Sequence, residues 1–68
     1  MLDKILKLRQ YAQFDFYTVN ENYVLQLFEL DTAPNDIDAS CIWENDSKVI
    51  LGLLDEAIAW CEDQLSDN

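Results

Sequence analysis

The sequence predicts an α+β domain of order α-β-β-β-α: a three-stranded antiparallel sheet with two helices packed on it. Three observations predict it. Apolar residues recur at helical spacing at both ends of the chain, aromatic and branched residues cluster in three short runs between them, and Asn-, Asp- and Pro-bearing breaks separate those runs. The 68 residues are taken as a single domain, 1–68. A domain of this size buries only about 60% of the surface its unfolded chain exposes, which leaves room for a core but little for a deep pocket.

In residues 2–13, "LDKILKLRQYAQ", Leu2, Ile5, Leu8 and Ala12 share helical spacing with Leu6 beside them, while Lys4, Lys7 and Tyr11 line another side. This is the first helix. "FDFYTV" and "YVLQLFEL" then flank "NEN", whose asparagines tolerate the left-handed backbone of tight hairpins. A two-residue turn puts Phe14, Phe16, Tyr23, Leu25 and Leu27 on one face and Asp15, Tyr17, Asn22, Val24 and Gln26 on the other; a three-residue loop would change that parity.

"DTAPND" breaks the chain after the hairpin. "IDASCIWE" follows, alternating Ala39, Cys41 and Trp43 against Ser40, Ile42 and Glu44 as a third strand does. Asn45, Asp46 and Ser47 then offer N-caps for a final helix over 47–65. On that helix Ile50, Leu54, Ala57, Ile58, Cys61 and Leu65 form an inward stripe of about 100°. Gly52, Asp55, Glu56, Ala59, Glu62, Asp63 and Ser66 lie opposite, and Leu53, Val49 and Trp60 fall between the two. Trp43 and Cys41 are expected to face inward, as is Cys61.

Charge is the dominant feature of the composition. Fourteen acids against four bases give −10, and Lys4, Lys7 and Arg9 all fall in the first nine residues. From residue 10 to 47 there are eight acids and no base. Such a surface repels nucleic acid and anionic membrane and attracts basic surfaces. The chain ends in "LLDEAIAWCEDQLSDN", with two carboxylate pairs, Asp55/Glu56 and Glu62/Asp63, seven residues apart and no cation three or four positions away. Acids in the last turn oppose the helix dipole, and unpaired like charges each cost a few tenths of a kcal/mol, about 0.2–0.5. On these grounds Glu62→Lys with Asp63→Lys is expected to hold or raise stability.

Several functions are excluded or disfavoured. With no histidine, and with Cys41 and Cys61 twenty apart, the usual zinc sets and nucleophile relays cannot be assembled, so no catalytic, cofactor or metal residue is expected. Asp31, Asp36 and Asp38 lack the spacing and glycine of a calcium loop. The longest apolar stretch, 49–54, is far short of the ~20 residues a membrane span needs. The first ten residues carry no run like that of a secretory signal, so the expected location is cytoplasmic.

In this general character the chain resembles the small acidic inhibitors encoded by phages and mobile elements, anti-CRISPR proteins and other DNA mimics. The resemblance implies a non-enzymatic inhibitor whose carboxylates imitate backbone phosphates on the basic nucleic-acid-binding surface of a nuclease or effector complex, with no direct nucleic-acid contact and no membrane. The partner-binding candidates are Asp55, Glu56, Glu62, Asp63 and Trp60 on the final helix, with Glu29, Asp31, Asp36 and Asp38 around the break. The expected state is a monomer or small homo-oligomer. The alternatives are an antitoxin or immunity protein that neutralises a basic nuclease toxin, and a structural or assembly subunit.

Overall fold

The computed structural model describes residues 1–31 and 40–66. Helix α1 (Leu2–Arg9), strands β1 (Gln13–Val19), β2 (Asn22–Phe28) and β3 (Trp43–Ser47), and helix α2 (Ile50–Ser66) follow in the predicted order. The strands form one antiparallel sheet in the order β1-β2-β3. Both helices pack on the same face of it, α1 against β1 and α2 against β2 and β3, and against each other.

The hairpin has the two-residue turn. Val19 pairs with Asn22, and Asn20 and Glu21 between them take φ values of 49° and 71°. Positive φ at both central residues gives strands the right-handed twist they need, and asparagine enters that region more readily than most side chains. The register sets Phe14 opposite Leu27 and Phe16 opposite Leu25, so the predicted helix-facing set shares one side. Trp43 extends that side from β3, opposite Leu27. Phe16 stacks on Tyr23, with ring centroids 5.6 Å apart.

Leu8, Leu25, Leu27 and Leu53 are fully buried at the centre of the core, with Leu54, Ala57, Ile58 and Cys61 around them. Truncating any one of the four leucines to alanine would cost about 2–5 kcal/mol.

The structure revises the edges of the elements. The first helix stops at Arg9, and Tyr11 and Ala12 both donate back to the carbonyl of Leu8, a tightened last turn that lets β1 begin at Gln13. Leu2, in the first turn, is 68% exposed, and Ala12 is buried beyond the helix end. The third strand is Trp43–Ser47; of the stretch predicted before it, Ser40, Cys41 and Ile42 are not strand and Ala39 lies outside the described residues, while Cys41 is exposed, its thiol donating to the Trp43 carbonyl at 2.9 Å. Asn45 and Asp46 are therefore strand residues, while Ser47 Oγ accepts the Val49 N–H at 3.1 Å and prepares the turn into α2. On α2, Leu53 is buried where a flanking position is expected, and Leu65, expected inward, is 63% exposed in the last turn.

Candidate functional site: two acidic faces

Carboxylates lie on two opposite sides of the molecule. One is the outward side of α2. The other is the side of the sheet that the helices leave open, composed of Asp15 and Tyr17 from β1, Asn22, Val24 and Gln26 from β2, and Glu44 and Asp46 from β3.

On the α2 side, the missing cations come from α1. Lys4 Nζ donates to Asp55 and Lys7 Nζ lies 3.3 Å from Glu62, which also accepts the Tyr11 hydroxyl at 3.4 Å. Lysines three apart on α1 thus meet carboxylates seven apart on α2, one pair per crossing level of the two packed helices. The hydrogen bond that Lys4 donates to Asp55 raises the Lys4 pKa above its ordinary value. Glu56 accepts from Asn45 Nδ2 at 2.7 Å, which ties α2 to β3. Asp63 is exposed near the helix end. With Lys7 beside Glu62, a lysine at 62 would face a like charge, and the expected gain in stability from that substitution reverses at this position.

The open sheet side is different in kind. Gln26 Nε2 donates to Glu44 at 2.6 Å and Asn22 Nδ2 to Asp46 at 3.0 Å, both across the β2–β3 pair. Asp15 accepts the N–H of Phe16 at 2.9 Å. Amides orient these carboxylates without cancelling their charge, and none of the three forms an ion pair among the described residues. The Asp46 carboxylate dictates which amide atom of Asn22 faces it and leaves Asn22 Oδ1 buried without a partner. A shallow groove of about 390 Å³ runs along this side, lined by Tyr17, Val24, Glu44 and Asp46 among others.

The remaining sequence candidates scatter. Glu29 and Asp31 are exposed just beyond β2, and Asp36 and Asp38 lie outside the described residues. Trp60 is half-buried against the core and lines an apolar groove of about 550 Å³ with Tyr11, Leu30, Ile42 and Leu65 at the C-terminal end of α2. Burial pushes the Cys61 thiol up from its ordinary value, with the charge of Glu62 adding to it, which makes Cys61 a poor nucleophile. Among the described residues no group of His, Cys, Asp or Glu could hold a metal ion, and no helix is long and apolar enough to cross a membrane.

Glu44, Asp46 and Asp15 are the residues that sequence reasoning passed over. Period-two alternation in "WENDS" was the available signal, but Asn, Asp and Ser there also read as helix caps. Comparison with known proteins adds nothing to this geometry: no family model, no curated protein and no solved structure matches the chain.

Proposed function

We propose that the protein is a non-enzymatic acidic inhibitor that occupies the basic nucleic-acid-binding surface of a nuclease or effector complex, in the manner of anti-CRISPR proteins and DNA mimics, and that it does so in the cytoplasm. The observation that carries this reading is the open sheet face. Glu44 and Asp46 stand two residues apart on β3, about 6.8 Å at strand rise. Measured along a duplex axis, one strand rises by about the same distance over two nucleotides, at about 3.4 Å per charge. Amide hydrogen bonds hold both side chains in place, so less conformational freedom is lost when a basic channel closes on them.

Stability reasoning supports the same reading. A small domain whose core yields about 3–5 kcal/mol net, and which leaves carboxylates uncompensated on a sheet face, retains a field that only an external cation uses. Two α1 lysines reduce the field on the α2 side and leave that on the sheet side untouched.

The test adds the purified protein to RNA-guided nuclease complexes and to basic nuclease toxins, and measures retention of a DNA duplex by gel shift. The expected result is displacement of DNA from an effector complex, with inhibition that weakens steeply as salt rises, because exposed charges are screened beyond about 8 Å at 0.15 M. Neutralisation of a toxin alone would favour the immunity-protein reading. Unaltered DNA binding and cleavage across both groups would overturn the proposal.

A further inference from the structure

Charge is divided along the chain. Residues 1–19 hold three bases and two acids, whereas residues 20–68 hold one base and twelve acids. With Lys4 and Lys7 turned to α2 and Asp3 beside the N-terminal ammonium, the α1–β1 flank sets Arg9 against Asp15 and carries no negative excess. It is also the part with the most exposed apolar side chains. Met1, Leu2, Leu6, Phe16, Tyr17 and Val19 are six of the eleven large hydrophobic residues exposed among the described residues.

On α1 these residues are ordered. At 100° per residue Leu2, Leu6 and Arg9 fall within about 60° of one another, on the side opposite Lys4 and Leu8, which face α2 and the core. Leu2 and Leu6 are 68% and 50% exposed, and Arg9 forms no ion pair among the described residues. The strand beneath has one of its outward donors occupied. In a two-residue hairpin the flanking pair exchanges both backbone hydrogen bonds and the pattern alternates from there, so Phe16 directs its N–H outward from β1. Asp15 already accepts that N–H, which occupies the central one of the outward donors of β1.

We infer that the α1–β1 flank, centred on Leu2 and Leu6, docks a second copy of this chain in a two-fold dimer with the α1 stripes packed antiparallel. The charge division selects that occupant. A basic partner is drawn to the acidic faces and has no reason to settle on this flank. A second copy carrying −10 is repelled everywhere else and meets no net like charge here. The antiparallel arrangement places the two Arg9 side chains at opposite ends of the contact. A standard interface takes about 800 Å² from each partner, about a sixth of the 4754 Å² the chain exposes. The dimer would keep both acidic faces outward and double the field presented to a target.

The test needs no target and so is independent of the proposed function. Sedimentation equilibrium of the purified chain from about 1 µM to about 500 µM should show the mass rising from 7.9 kDa toward twice that value. Leu6→Lys should hold the mass at the monomer value, and Leu2→Lys, at the more exposed position, should do the same. Raising salt should tighten the wild-type dimer, since it screens the −10 repulsion and leaves apolar contact intact. A wild-type mass that stays at 7.9 kDa throughout would overturn the inference. So would association unaffected by both lysine variants, or association that weakens as salt rises.

Discussion

The outward side of α2 and the open side of the sheet are both acidic, yet the fold treats them oppositely. Along α2, Asp55 and Glu62 gain Lys4 and Lys7, cations contributed by a helix at the other end of the chain. Across the sheet, Glu44 and Asp46 gain only the amides of Gln26 and Asn22. A lysine lowers the net field of its partner, whereas an amide fixes a carboxylate and leaves the field intact. Carboxylate count alone therefore does not rank two acidic surfaces as candidate binding sites. The identity of the nearest donor does.

The largest expected effect comes from reversing the sheet side. Glu44→Lys with Asp46→Lys should weaken binding to a basic target by about 100-fold, or about 3 kcal/mol, because like charges would meet across the interface. Thermal unfolding should change little, since both positions are exposed and the lost hydrogen bonds are to amides at the surface. A circular dichroism melt beside the binding titration separates the two effects. Unchanged affinity in that variant would erase the distinction between the faces.

The α2 side should respond in the reverse sense. Asp55→Asn with Glu62→Gln removes the partners of Lys4 and Lys7, so the melting temperature should fall, with the half-exposed Lys7–Glu62 pair contributing about 0.2–1 kcal/mol. Binding should drop by about tenfold or less. The pH dependence carries a signature of its own. The Lys4 pKa is raised in the folded chain, so its contribution is fully present below the ordinary value of 10.5 and is lost as pH rises through the raised one. The raised Cys61 pKa acts with the same sign, from its ordinary value of 9.0 upward. Alkaline loss of stability should therefore be shallower in the α2 variant than in the wild type, as followed by melts from about pH 8 to about pH 11.

A smaller effect isolates scaffold from charge. A Cβ at Gly52 would meet nothing closer than Val49 Cγ1 at 3.9 Å, so no close approach requires glycine there. Gly52→Ala should add about 1 kcal/mol to stability by raising helix propensity and restricting the unfolded chain. Affinity for a basic partner should not move, and chemical denaturation beside the same binding titration checks both.

Much of the fold could be read from the chain because its strongest signals are local. Alternation in "FDFYTV" and "YVLQLFEL", joined by a turn whose first residue is asparagine, specifies the hairpin, its register and its buried side together. β3 was displaced for a physical reason. "WENDS" has no β-branched residue, and it is a strand because Trp43, Asn45 and Ser47 meet Leu27, Leu25 and Tyr23, a tertiary pairing that overrides the turn and cap propensities of Asn, Asp and Ser. The same pairing brings Asp46, a cap candidate by propensity, beside Glu44 on the open side. The lysine pairing of α2 was equally out of reach, since Lys4 and Asp55 stand fifty-one positions apart and helix-face rules look only three or four away.

The central claim is that a cationic ligand prefers the open sheet side to α2, and a short oligolysine peptide tests it without knowledge of the natural target. Backbone amide chemical shifts of the folded chain, followed by NMR as the peptide is titrated in at low salt, would locate the contact residue by residue. The account predicts the largest shifts at Asp15, Tyr17, Gln26, Glu44 and Asp46, all lost on raising salt. Shifts centred instead on residues 55–63, with the sheet amides unmoved, would contradict it.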